Sequence, residues 1–393
     1  MTLLYQKKIN RHIKHVYNTL PIEDWNSSIS EPYCFYYNWC DQVYNINFKD
    51  CLNDEQLKFL QVNPSIKLIY DFNGEPIESS IIEEIVFLFE KWKLNPRQLI
   101  ITVSNKLQKE FIEKRFNNNN IIVVEYNYDI KHMKLSENKT QIDNKKFSVL
   151  CRLHRPWRSY MLCRLKEQNL LDNFHYSFMG CENDMTDAVN KSVEQQLDIT
   201  EILATGNWKI INDPSRILND LTTVCNYELS NEVIEFIELC PHYIEKENFK
   251  SDAETPNELF ASDLHLVIEN GFFDLEESKY NTRSVEMGEK TWKAIITSKP
   301  FLIYSDAGYL KNLKRLDFKT FSPMINEQYD DETDPKIRAE LIIKEIERIN
   351  ALPLDQYTDL LKDCQEAVQH NYKRYIEIKT NTPEFTDIEF NNL

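Results

Sequence analysis

SIKLIYDF (65–72), SSIIEEIVFLFEKW (79–92), QLIITV (98–103), NKLQKEFIEKRF (105–116) and IIVVEY (121–126) follow one another closely along the chain. The first, third and fifth are short runs rich in β-branched residues, bounded by turn signals such as Asn73-Gly74 and Asn117–Asn120. That is the pattern of buried strands. The second and fourth place apolar residues at helical spacing, and a serine pair opens the former. Strand, helix, strand, helix, strand implies right-handed crossovers and a parallel sheet, half of a doubly wound domain. Upstream, PYCFYYNW (32–39) reads as a further strand.

The same alternation resumes downstream. KFSVLCRL (146–153) reads as strand, PWRSYMLCRLKEQ (156–168) as helix and HYSFMG (175–180) as strand. Helices are expected around 214–226 and 230–239. LHLVIEN (264–270) is a strand, GEKTWKAIIT (288–297) a helix, PFLIYS (300–305) a strand and AGYLKNLKRL (307–316) a helix. Two long helices close the chain, at about 335–350 and 354–378. The last carries Leu354, Tyr357, Leu361, Cys364, Val368, Tyr372 and Tyr375 on one stripe. The expected fold is α/β, with two Rossmann-like domains facing a cleft and the C-terminal helices packing across. Residues 1–130 form the first domain, 131–145 a polar, lysine-rich linker, 146–350 the second domain and 351–393 a closing helix and tail.

Composition narrows what such a cleft can hold. Only 6 of 393 residues are glycine, and they are never clustered. A GxGxxG dinucleotide fingerprint and a GxxxxGK[ST] phosphate loop are therefore excluded. Phosphate chemistry, if present, must use cationic side chains and helix N-termini. The net charge of −17 is uneven, since residues 1–150 hold 19 basic and 19 acidic side chains while residues 151–393 hold 27 and 44. An acidic chain repels a polyanion, so non-specific nucleic-acid binding is not expected. The 9 cysteines show no CxxC spacing, which fits reduced, buried thiols rather than a disulfide framework or a zinc site. No stretch has the length and apolarity of a membrane span, and the start of the chain does not read as a signal peptide. A cytoplasmic location is expected. The abundance of Asn, Ile and Lys hints at an AT-rich, viral genome.

Two constellations carry chemistry. Cys151-Arg152-Leu153-His154-Arg155-Pro156-Trp157-Arg158 joins a strand to a helix whose first turn contains proline. Arg152, Arg155 and Arg158 thus gather at a helix N-terminus, where cations oppose the macrodipole. Either a phosphate sits there, held by guanidinium forks, or the arginines pair with the acidic excess of the same half. The second is Glu269-Asn270-Gly271 at a strand end, followed by Gly288-Glu289-Lys290-Thr291-Trp292-Lys293 at a helix start. Glu289 is there either as an ordinary capping carboxylate beside a solvated lysine, or to accept from sugar hydroxyls while Lys290 neutralises a diphosphate.

LVIENGFF, VEMGEKTWKAII and KPFLIY, in that order, resemble the C-terminal half of the α-1,3-fucosyltransferases, glycosyltransferase family 10. RSYMLCRL is similar to that family's arginine-bearing segment, with Arg158 as the counterpart. LKNLKRLDFKTF (310–321) resembles a segment of related glycosyltransferase-like proteins of large viruses and phages. The resemblance spans roughly residues 146–320 and implies a GT-B enzyme in which Arg158, Asn270, Glu289 and Lys290 contact a nucleotide-sugar. Arg152, Arg155 and Glu269 join them as donor-site candidates. It further implies a nucleotide-sugar co-substrate, GDP-linked in that family, with no cofactor and no metal, and a glycan or glycoconjugate acceptor bound by the N-terminal domain. Glu286 stands where the family has tyrosine, and the segment between Asn270 and Glu289 is longer than in the family.

An inverting transfer needs a general base to take the acceptor's hydroxyl proton. Asp71 and Glu75, after the strand SIKLIY, are the candidates, and Asp71 is equally a turn aspartate before Asn73-Gly74. Asp330-Asp331-Glu332-Thr333-Asp334 is read as a solvated loop, and His12 and His15 as surface residues. Two alternatives remain: a phage or viral DNA-base glycosyltransferase, and a non-catalytic protein that binds a sugar or nucleotide.

Overall fold

The computed structural model describes residues 2–5, 22–24, 33–38, 52, 54–71, 79–116, 120–127, 130, 133, 144–151, 154–178, 181–182, 210–211, 213–240, 257–269 and 287–382. It is an α/β protein with two all-parallel main sheets. The first sheet has six strands: β1 (Thr2–Tyr5), β2 (Ile22–Asp24), β3 (Tyr33–Asn38), β4 (Lys67–Asp71), β5 (Leu99–Val103) and β6 (Ile122–Glu125), in the order β2-β1-β3-β4-β5-β6. Helices α1 (Asp54–Val62), α2 (Ser79–Lys91) and α3 (Lys106–Arg115) supply its crossovers. β4 and β5 are buried throughout, as expected of strands covered on both faces. Leu68, Tyr70, Leu99, Ile101 and Val103 pack with Ile82, Ile85 and Phe89 of α2 in one core.

The second sheet has the order β12-β11-β7-β8, built from β7 (Lys145–Cys151), β8 (Phe174–Phe178), β11 (Ser262–Ile268) and β12 (Phe301–Tyr304). Between them, β9 (Cys181–Glu182) and β10 (Ile210–Ile211) form a small antiparallel pair. The helices are α4 (Pro156–Glu167), α5 (Pro214–Thr223), α6 (Asn231–Glu238), α7 (Asn257–Phe260), α8 (Glu289–Ile296), α9 (Tyr309–Arg315), α10 (Pro335–Asn350), α11 (Leu354–Asp363) and α12 (Gln365–Asn381). α4 packs with α5, α6 and α10, whereas α8 packs with α12. Read from one edge, this unit places its second strand, first strand, third and fourth in a row. The winding direction therefore reverses between β7 and β11, and ligands of open parallel sheets bind in the crevice beyond the strand ends at such a reversal.

The strands and helices expected in both halves are present, with β1 and β2 extending the first sheet beyond expectation. Two expectations need correction. The last helix is not continuous, because the chain breaks at Cys364 into α11 and α12. The stripe survives the break from Tyr357 onward, with Tyr357, Cys364, Val368 and Tyr375 all buried, but its first member, Leu354, is 80% exposed. Nor is Asp330 a solvated loop residue. It is buried, and its carboxylate accepts from the amides of Leu310 at 2.9 Å and Lys311 at 3.2 Å, so it caps α9. His12 and His15 lie outside the described residues.

The C-terminal helix reaches the segment that follows the first sheet. Lys379 Nζ donates to the Met133 carbonyl at 2.7 Å. Leu107, Ile130 and Met133 belong to the same buried cluster as the second sheet. All five described free cysteines, Cys151, Cys163, Cys225, Cys240 and Cys364, are buried. No helix among the described residues is long and apolar enough to cross a membrane.

Candidate functional site

At the β7/β11 reversal the sequence supplies two helix starts. α4 begins at Pro156 with Arg155 as its N-cap, in an extended conformation and without a side-chain cap. Arg158, one turn in, is 3% exposed, and its Nε and Nη2 have no hydrogen-bond partner. Burial pushes the guanidinium down from its ordinary pKa, while the carboxylates of Glu269 and Glu289 oppose that fall electrostatically. An unpaired buried cation costs several kcal/mol after relaxation, roughly. Such a cost is sustained where a ligand completes the shell.

α8 starts on the other side of the reversal. Its N-cap is Gly288, which has no side chain to offer. The cap comes instead from Glu269, one residue past β11. Glu269 Oε1 accepts from the Thr291 amide at 3.2 Å and from Thr291 Oγ1 at 2.5 Å. Tyr309 Oη lies 2.9 Å from the same Thr291 hydroxyl. This arrangement explains the glycine: a Cβ at Gly288 would lie 2.6 Å from Glu269 Oε2. Glu289 and Lys290 then occupy the first turn. Glu289 receives Lys290 Nζ on one oxygen and Lys293 Nζ on the other, each at 3.4 Å. Burial alone would raise the Glu289 pKa, but the Lys293 and Lys290 ammoniums hold it below the usual carboxylate value.

Beneath the edge, two histidines brace the strands and turns. His265 Nδ1 lies 2.5 Å from Ser148 Oγ and its Nε2 lies 2.7 Å from Thr297 Oγ1, joining β7, β11 and the end of α8. Full burial pushes its pKa down to about 3. His154 Nδ1 lies 2.6 Å from Ser159 Oγ and its Nε2 lies 2.9 Å from Asp220 Oδ2. Burial lowers the His154 pKa against the opposing pull of Asp220. Ser159 is fully buried within α4, so the Ser-His-Asp sequence here is a brace and not an accessible nucleophile.

Of the residues singled out in the sequence, Arg158, Glu269, Glu289 and Lys290 come together at this edge. Arg155 is exposed at its rim. Arg152, Asn270 and Glu75 lie outside the described residues. Asp71 ends β4 in the other sheet, where it is fully buried and accepts from Thr102 Oγ1 at 2.5 Å. Residues not singled out for a role include Lys293, Thr291, Tyr309 and the His154–Asp220 pair. Lys293 was legible as the i+4 partner of Glu289. The others are brought in by strand order and could not be found from spacing.

No protein-family model matches the chain, and no curated protein matches it. Among solved structures, it is similar to one described as the GtfA/B complex, with 9% identity, a TM-score of 0.36, and coverage of 90% of this chain and 58% of that chain. It is also similar to the trehalose-6-phosphate synthase OtsA (9%, TM-score 0.35, 90% and 72%). A UDP-forming trehalose-phosphate synthase from Burkholderia xenovorans gives 12%, TM-score 0.37, 90% and 75%. The chain thus spans little more than half the length of the first of these. At such scores the α/β assignment rests on the strand order and pairing described above.

Proposed function

We propose that this chain is a glycosyltransferase that takes a sugar from a nucleoside diphosphate and gives it to a glycan or glycoconjugate acceptor. The observation that carries the reading is the buried Arg158 guanidinium, with Nε and Nη2 unpartnered at the β7/β11 reversal. A diphosphate is the group that fits it. Arg158 and Lys290 neutralise the charge beside the start of α8, and Arg155 approaches from the rim, with Arg152 a further cation close by in sequence. Glu289, held by two lysines, accepts from sugar hydroxyls, and Asn270 follows Glu269 directly in sequence. Glu269 supports the site by capping α8 rather than by touching the donor.

In the reaction, the leaving diphosphate gains charge as the glycosidic bond breaks. Fixed cations and helix amides meet that charge without a divalent ion. The acceptor hydroxyl attacks the anomeric carbon from the opposite face, which inverts its configuration. Asp71 or Glu75 of the first domain takes the proton. A GDP-linked sugar is the first donor to try.

The test is a thermal-shift screen against GDP, UDP, ADP and dTDP and their sugars, followed by transfer assays with and without chelator. Binding of one nucleotide stabilises the protein in proportion to the logarithm of its concentration over Kd. Glu289→Ala and Lys290→Ala are expected to abolish transfer. Full donor turnover in both variants would sink the proposal.

One observation favours a second reading, a binding protein without catalysis. Asp71 is buried and already engaged by Thr102, which suits a structural carboxylate better than a base. Hydrolysis or transfer from any nucleotide-sugar eliminates that reading.

A further inference from the structure

We infer that Lys293 is a positioning residue that holds Glu289 from the buried side, leaving Lys290 to quit that carboxylate and meet an incoming anion. This rests on the anion-site reading above. The two ammoniums contact different oxygens of Glu289 at the same 3.4 Å, but their settings differ. The Lys293 side chain is 2% exposed and that of Lys290 is 12% exposed. Lys293 reaches back one helical turn, along a small cavity between α8 and the sheet that is also lined by Ser148, Leu150, His265 and Val267. An ammonium that deep is costly to move away from its carboxylate. Lys290 lines the same cavity but sits in the first turn with the more exposed side chain of the two, so it is the one with room to move.

The consequence is a division of labour. If Lys290 alone countered Glu289, a diphosphate would have to strip it away and leave a bare carboxylate beside its own negative charge. With Lys293 in place, Glu289 keeps a partner in both states. Among the described residues, the charged groups facing Glu289 are Lys290 and Lys293 on its own helix and Arg158 from α4, while the Glu269 carboxylate lies against neighbouring Gly288 and Thr291. The Cys151 thiol, near Arg158 and Lys290, is held protonated by burial.

Inorganic pyrophosphate is the probe, because it has no sugar for Glu289 to bind. Calorimetric titration of the full chain compares wild type with Lys293→Met, Lys293→Arg, Glu289→Gln and the Lys293→Met/Glu289→Gln double variant. Each affinity is taken as a ratio to wild type at the same pH, so that titration of the probe cancels. Lys293→Met is expected to weaken binding about tenfold at pH 7. Lys293→Arg, the added Glu289→Gln change, or a pH low enough to protonate Glu289 should each restore it. Wild-type affinity in Lys293→Met, or no rescue in the double variant, overturns the inference. If Lys293→Met does not fold, Glu289→Gln alone decides. It should bind pyrophosphate within about threefold of wild type, and a tenfold tightening would mean that Glu289 sequesters Lys290 in the native protein. Arg158→Met tests the underlying reading separately: if it binds pyrophosphate like wild type, the anion site itself is wrong, whatever Lys293 does.

Discussion

The two sheets are wound alike but finished differently at their carboxyl edges. In each, the second strand of the unit lies outside the first and the later strands follow on the other side. Past β4 and β5 the polar groups close on one another. Thr102 donates to Asp71, Ser104 donates to Gln108 at 2.8 Å through its amide and 2.7 Å through its hydroxyl, and Asn127 donates to the Ser104 carbonyl at 2.9 Å. Past β7 and β11, where the winding of the second sheet reverses, Arg158 is left without a hydrogen-bond partner on two nitrogens, whereas the first sheet reverses at β1 and β3 rather than at β4 and β5. A self-satisfied edge stabilises the fold, whereas an unsatisfied one sacrifices stability for a ligand. On the function proposed above, the second sheet is the donor side.

The strongest way to break this comparison is Arg158→Met. It should abolish pyrophosphate or nucleotide binding by a factor of about 100 or more, roughly the 3 kcal/mol of a charge-assisted contact at the upper end. It should also raise the stability of the ligand-free protein by about 1–3 kcal/mol, because a desolvated charge is removed. Urea denaturation and calorimetry measure both. A variant that is less stable yet still binds would make Arg158 a structural residue and the two edges equivalent.

His265 tests whether the polar group beneath the open edge is closed on itself. Its folded pKa is depressed to about 3, so below pH 6.5 the unfolded chain takes a proton that the folded one refuses. Stability is complete above that pH and falls as pH drops toward 3, with a slope approaching about 1.4 kcal/mol per pH unit. Denaturation between pH 7 and 4 should show a slope in the wild type that is markedly shallower in His265→Asn, the remainder coming from His154, whose pKa burial also lowers.

Gly288→Ala sharpens the comparison at the helix cap. The added methyl falls 2.6 Å from Glu269 Oε2, so the carboxylate must move off Thr291. A loss of about 1–3 kcal/mol is expected, with part of it recovered in Gly288→Ala/Glu269→Ala. Equal instability in the double variant would show that the carboxylate is not what the methyl meets. The smallest effect is expected at the closed edge. Thr102→Val removes one donor to Asp71 and should cost about 1 kcal/mol by denaturation, with nucleotide binding unchanged. Weaker binding in that variant would carry the site into the first sheet.

Much of this could be read along the chain. Short β-branched runs such as QLIITV cannot satisfy both faces unless helices cover them, so the parallel sheets followed from alternation alone. Arg158, Glu269, Glu289 and Lys290 were visible because charges of those types at strand ends and helix starts need partners. The break at Cys364 was not visible, since the apolar stripe runs through it unchanged. Asp330 was misread because a dense acidic run looks solvated until the amides of α9 are brought to it.

Two glycines separate what sequence decides from what folding decides. Gly308 takes a left-handed backbone, φ +81, at the start of α9, a demand local enough to be expected at a strand-to-helix turn. Gly288 has an ordinary backbone and is glycine only because Glu269, 19 positions earlier, presses its carboxylate against that spot. Periodicity and residue type are local properties, so the sequence by itself determined the α/β class and the chemical character of the edge residues. Which strand lies beside which is a long-range property. Only the tertiary structure placed β7 next to β11, set Arg158 between two helix starts and buried its guanidinium with two nitrogens unpartnered.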